Sequence, residues 1–212
     1  MPDDVPVRSV GTPRTPWPIA VPAALGVAFL LVPLLGLLLR APWRDLPRIL
    51  AETQAVDALR LSLICATSAT AISLVLGVPL AWVLARSTAP GLRYLRALVT
   101  LPLVLPPVVG GVALLLAYGR VGVLGRYLDR WFEVTVPFTT PAVVLAETFV
   151  AMPFLIVSVE GALRSADAGL EEAAATLGAR RFTTFRRVTL PLILPSVAAG
   201  SVLCWARALG EF

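Results

Sequence analysis

Apolar residues run in long stretches without charge, and the polar residues gather between them. Trp17 to Leu39 carries no charged side chain; as a helix it would reach roughly 34 Å, enough to cross a hydrocarbon core of about 30 Å. The run is longer than the apolar part of a secretory signal, and Arg40-Ala41-Pro42-Trp43 offers no small-x-small cleavage site, so it reads as a retained span. Pro18 and Pro22 fall in its first turns, where proline costs little, while Pro33 lies mid-span and predicts a kink. Arg40 to Arg60 reads as a polar connector with room for a short surface helix. A second uncharged run, Leu61 to Ala85, carries Ser62, Thr67, Ser68, Thr70, Ser73 and Gly77, small residues that let neighbouring helices approach closely. A third, Ala97 to Gly119, contains LPLVLPPVVGG: Pro102, Pro106 and Pro107 remove backbone donors and Gly110-Gly111 removes side chains, so it is expected to bend or break at mid-membrane. Leu124, Tyr127, Leu128 and Trp131 fall at helical spacing and predict an interfacial helix with an aromatic anchor. Spans four and five are placed at 141–159 and 188–212. The fourth holds Glu147, a carboxylate expected near the headgroups or hydrogen-bonded to a neighbouring helix. The expected organisation is a tail over 1–16 and a membrane domain over 17–212, with spans at 17–39, 61–85, 97–119, 141–159 and 188–212.

One polar island has internal order: EEAAATLGARRFTTFRRVTLPLILP, from Glu171 to Pro195. Ala173, Ala174, Ala175 and Leu177 favour helix, and Glu171 and Glu172 sit in its first turn, where the helix dipole favours acid. Gly178 interrupts the run. A second short helix follows, with Phe182, Phe185 and Val188 as an apolar stripe and Arg180, Arg181, Arg186 and Arg187 on its other faces; Leu190-Pro191 is expected to stop it before the last span begins. Pattern alone also allows a basic amphipathic hairpin lying on the inner leaflet.

Composition narrows the function classes. Hydrophobic residues make up 58% of the 212 and charged residues 15%, more apolar surface than a soluble domain of this length can hide. All 18 basic residues are Arg, with no Lys and no His. That excludes a phosphate-loop lysine, a Schiff base, an imidazole base and histidine ligation of a metal. No Ser/Lys or paired-Asp arrangement lies in the spans, so no catalytic and no metal-ligating residue is assigned. Cys65 and Cys204 lie in separate apolar runs and read as small buried hydrophobes. The net charge of +5 comes from arginines flanking the spans, which suits anionic headgroups and not nucleic acid. With the N-terminus inside, ten arginines fall on the inner side (Arg8, Arg14, Arg86, Arg93, Arg96 and the five from Arg164 to Arg187) against seven outside. Arg207 and Glu211, four apart, can neutralise each other across a helical turn.

Glu172-Ala173-Ala174, three residues, Gly178, nine residues, Val188, one residue, Leu190-Pro191 resembles the EAA loop of the integral membrane subunits of ATP-binding-cassette importers. Val188 stands where that family usually has Ile. LPLVLPPVVGG, TPAVVLAETFVAMPF and ARALGEF extend the resemblance to the molybdate permease subunits of bacteria, with the sulfate permease subunits as relatives, over about 55–212. The resemblance implies an all-α polytopic bundle of the type I importer permease kind, with five spans present of an expected six, because the family continues beyond G-E-F; a C-terminally truncated chain is therefore expected. It implies a cytoplasmic coupling loop over about 164–191, multi-pass residence in the bacterial inner membrane, and an N-terminus on the cytoplasmic side. The implied partners are a second copy of the permease, cytoplasmic ATPases that hold the ATP and Mg, and an extracytoplasmic oxyanion-binding protein; the chain itself binds no cofactor. The implied role is import of molybdate, with sulfate, thiosulfate or tungstate as alternatives. Pro106, Pro107, Gly110, Arg207 and Glu211 are the pathway or gate candidates. An ion-coupled secondary transporter, using Glu147 as a relay, is the alternative from another class.

Overall fold

A computed structural model of the chain describes residues 17–211; the tail assigned to 1–16 and residue 212 lie outside the described residues. The described residues form helices: α1 (Trp17–Arg40), α2 (Leu46–Ala51), α3 (Thr53–Arg86), α4 (Leu92–Val104), α5 (Pro107–Tyr118), α6 (Gly125–Phe132), α7 (Thr140–Ser165), α8 (Ala168–Thr176), α9 (Arg181–Thr184) and α10 (Leu190–Leu209). The chain divides into two compact units at Ala55/Val56. In the first, α1 continues through Pro22 and Pro33, and the Trp43 indole N–H donates to the Leu38 carbonyl at 2.6 Å, satisfying an acceptor that the helix end leaves open.

Among the described residues, four helical stretches are long and apolar enough to cross a membrane: Trp17–Arg40, Thr53–Arg86, Thr140–Ser165 and Arg181–Leu209. The expected span 61–85 lies within a longer helix that starts at Thr53. Nothing between Thr53 and Arg60 breaks a helix, so the polar residues expected in a connector instead extend it. The run 97–119 is broken, as its prolines predict. α4 and α5 meet at a bend of 119°. Leu105 (ψ 132°) precedes Pro106, and Pro106 (ψ 140°) precedes Pro107; each following ring pushes the residue before it out of the helical region, so two consecutive residues are extended. Leu190-Pro191 does not separate two helices either. α9 passes into α10 through a π turn over Phe185–Thr189, where the Leu190 N–H donates to the Phe185 carbonyl. The wider turn changes the register and puts Pro191 in the first turn of α10, where its missing N–H costs little.

The second unit is organised around α7. The buried residues of α3 (Cys65, Ala66, Ala69, Thr70, Ser73, Gly77, Ala81 and Leu84) recur at three- and four-residue steps and are nearly all small. A Cβ on Gly77 would lie 3.3 Å from Ile156 Cγ1, and one on Gly200 of α10 would lie 3.0 Å from Ser158 Cβ and 3.1 Å from Leu155 Cδ1. α3 and α10 therefore approach α7 closely at positions where even one added carbon would press on α7 side chains. Ala151, Leu155, Ile156, Val159 and Leu163 of α7 fill the core between them. Ser158 Oγ donates to the Ser196 carbonyl at 3.1 Å, and the Trp205 indole N–H donates to Thr67 Oγ1 at 3.3 Å.

One end of this bundle is closed by charge. Glu160 of α7 is buried, and its Oε1 accepts from Arg96 Nε of α4 and from Arg164 Nε, each at 2.9 Å. Arg96 and Arg164 also donate to the Leu84 carbonyl, at 3.1 and 3.3 Å. Two guanidinium groups thus tie α3, α4 and α7 together through one carboxylate and one free carbonyl near a helix end.

Gly200→Val should cost about 1–3 kcal/mol by overpacking and lower the thermal unfolding midpoint in detergent. Gly161→Ala, on α7 where a Cβ meets nothing within 4 Å, should leave the midpoint unchanged or raise it. Glu160→Gln should lower the midpoint by the equivalent of about 1–3 kcal/mol, since charge-assisted hydrogen bonds are lost while the residue stays buried.

Candidate functional site

The polar island folds as an elbow at the charged end of the bundle. Asp167 caps α8, its Oδ1 accepting from the Gly169 N–H at 2.8 Å. At the other end the Gly178 N–H donates to the Ala175 carbonyl at 2.9 Å and the Ala179 N–H to the Ala174 carbonyl at 3.0 Å. This is the paired bonding of a Schellman turn, with Gly178 at the left-handed position, φ 82°. A side chain there would meet nothing within 4 Å in this chain, so the need for glycine is conformational.

Glu172, Ala173 and Leu177 are exposed, Leu177 to 88%, while Ala174 is half-buried. The expected stripe Phe182, Phe185, Val188 divides. Phe185 and Val188 are half-buried, whereas Phe182 is 72% exposed, because the π turn rotates the later residues toward the bundle and leaves Phe182 on the outer side. Arg180, Arg181, Arg186 and Arg187 are all exposed. The elbow therefore presents a mixed face, with the apolar Leu177 and Phe182 bordered by one acid and several guanidinium groups.

Glu171, next to Glu172, turns the other way. Its Oε1 accepts from Arg86 Nη2 at 2.8 Å and from Thr189 Oγ1 at 3.0 Å. Trp82, one turn before Arg86, meets Phe185 edge to face, with ring centroids 5.1 Å apart and planes at 89°. Neither Arg86 nor Thr189 stands out in the sequence as a partner for this acid; a separation of 85 residues leaves no local pattern to find.

The pathway candidates fall in two places. Pro106 and Pro107 are exposed at the break between α4 and α5, and Gly110 is buried on α5, where a Cβ would lie 3.7 Å from Phe149 Cε1 of α7. Arg207 and Glu211 lie at the end of α10 away from the elbow and form an ion pair with each other. The structure does not assemble these five into one cluster of converging donors. Glu147 is 0% exposed, and neither carboxylate oxygen has a hydrogen-bond partner among the described residues. The expected bond to a neighbouring helix is therefore absent among the described residues. Cys65 and Cys204 are buried and unbonded, and no group of three or more His, Cys, Asp or Glu able to hold a metal occurs among the described residues.

Residues 73–212 match the family described as binding-protein-dependent transport system inner membrane component. The chain is 50% identical over 194 residues to the molybdenum transport system permease protein ModB of Mycobacterium tuberculosis, covering 92% of this chain and 73% of that protein. It is 44% identical over 156 residues to the protein of the same name from Escherichia coli, covering 74% and 68%. A probable sulfate transport system permease protein of Chlorokybus atmophyticus is 35% identical over 199 residues, covering 92% and 69%. A match over most of the chain, joined to a bundle of apolar helices, makes this a multi-pass inner membrane protein that belongs to the binding-protein-dependent transport permeases, the membrane subunits of ATP-binding-cassette importers.

Proposed function

We propose that this chain is the membrane-spanning subunit of a molybdate importer driven by a separate ATPase. The observation that carries the reading is the elbow, a capped α8, a left-handed Gly178 and a short α9 continuous with a span, offering exposed Glu172, Leu177 and Phe182 to a partner. Such a surface suits a groove that accepts apolar side chains and carries a cation for Glu172. The chain does no bond chemistry. ATP and Mg belong to the partner, and closure of two ATPases around ATP would draw together the elbows of two permease copies. Their spans would then rock between inward- and outward-facing states. The elbow, and with it the N-terminus, would face the cytoplasm, in line with the excess of arginine on that side. A binding protein outside the membrane would deliver the oxyanion.

Molybdate is favoured over sulfate by the higher identity to the molybdenum permeases; tungstate has the same charge and shape and enters the test as a competitor. Pro106, Pro107 and Gly110 on one helix pair, and Arg207 with Glu211 on α10, remain the proposed pathway or gate positions. The ion-coupled alternative rested on Glu147 alone, and nothing else favours it once the chain is a member of an ATP-driven family.

Proteoliposomes holding this permease, its ATPase and its binding protein should take up molybdate only with ATP inside, with sulfate a poor competitor. Uptake that survives ATP depletion and collapses with an ion gradient would contradict the reading. Gly178→Asp and Glu172→Lys should each lower binding-protein-stimulated ATP hydrolysis roughly tenfold or more, a loss of about 1.4 kcal/mol of coupling, while membrane insertion is unchanged. Wild-type stimulation in both would remove the elbow from the mechanism.

A further inference from the structure

We propose that Glu171, with Arg86 and Thr189, is the brace that makes the elbow and the bundle one mechanical body; this rests on the coupling role proposed for the elbow. Three elements that are remote in sequence converge on one carboxylate oxygen: the last residue of α3, the first turn of α8 and the π turn that leads into α10. Thr189 is buried, and the Arg86 and Glu171 side chains are each about three-quarters covered (24% and 25% exposed), so the ion pair is partly shielded from water and salt. Phe185 against Trp82 forms a second rung beside the first. Trp82 precedes Arg86 by four residues on α3, and Phe185 precedes Thr189 by four residues on the π turn. Both rungs run from α3 to the same π turn. π turns inserted into helices frequently mark functional positions.

The adjacent acids divide the work. Glu172 is exposed and open to a partner, while Glu171 points back into the protein. Without the brace, α8 would be joined to the bundle by the chain at Ala166-Asp167, by the left-handed turn at Gly178 and by packing against the π turn, with no side-chain hydrogen bond among the described residues to hold it. A pull on α8 would then move α8 alone. With the brace, the same pull reaches the end of α3 and the start of α10 at once. Glu171 and Arg86 are thus positioning residues for transport.

The full complex in proteoliposomes separates this role from docking when uptake and ATP hydrolysis are measured on the same sample. Glu171→Ala should assemble with the ATPase and hydrolyse ATP at a rate near wild type, yet import roughly tenfold less molybdate per ATP, within the usual size of a coupling between sites. The double reversal Arg86→Glu with Glu171→Arg should recover much of that ratio. An unchanged ratio in Glu171→Ala, or a parallel fall of uptake and hydrolysis, would overturn the brace. A second measurement needs no ATPase. In the full-length permease in detergent, with Cys65 and Cys204 replaced by Ala, spin labels at Ser87→Cys and Leu177→Cys should give a narrow distance distribution that broadens with Glu171→Ala and narrows again with the reversal. A distribution unchanged by Glu171→Ala would overturn the brace whatever the partner. A narrow distribution in a permease that recruits no ATPase would leave the brace standing and remove the coupling reading instead.

Discussion

α3 and α10 lie close against α7 at Gly77 and Gly200, where an added Cβ would stand 3.3 and 3.0 Å from α7 side chains, and the groups placed at the ends of the bundle depend on that approach. In a hydrocarbon surround, burying apolar side chains against one another yields little over burying them in lipid, so close backbone packing and buried polar bonds must hold helices together. The second unit uses both. Small residues line the buried face of α3, and Ser158 and Trp205 make hydrogen bonds between helices. α7 consequently fixes the positions from which Glu160 meets Arg96 and Arg164, and from which α8 departs.

Arginine suits this charged end better than lysine would. A planar guanidinium donates along fixed directions to a carboxylate and a carbonyl together, as Arg96 and Arg164 do with Glu160 and the Leu84 carbonyl. The same chemistry on Glu171 joins the elbow to the bundle. The broken pair α4–α5 meets the opposite requirement: each proline there removes a donor, and two extended residues turn the chain through 119° without leaving the helices on either side incomplete.

What could be read in the sequence was local. The Ala-rich run ending at Gly178, the short amphipathic helix over Gly125–Phe132 and the break at Pro106-Pro107 each follow from residues within a few positions of one another. Span edges were less legible, since helix continues until something stops it and nothing does between Thr53 and Arg60. Leu190-Pro191 misled for a related reason: proline ends a helix from its interior but not from its first turn, and the π turn that shifts the register has no sequence mark. The long-range pairs were out of reach altogether. Arg86 and Glu171 are ordinary flanking charges until the fold brings α3 beside the π turn, and the burial of Glu147 depends on which face of α7 its neighbours cover. The pathway candidates came from proline, glycine and charge without geometry, and the fold leaves them in two groups.

The central claim is that the elbow stands on the cytoplasmic side and is the surface a nucleotide-driven partner grips. The most direct test places a single reactive thiol at its tip, Leu177→Cys, with the native Cys65 and Cys204 buried. The thiol is probed with a membrane-impermeant maleimide in right-side-out and inverted vesicles. Labelling confined to inverted vesicles, and suppressed when the ATPase is bound, is the predicted result; labelling from the outer face, or labelling indifferent to the ATPase, would contradict the account.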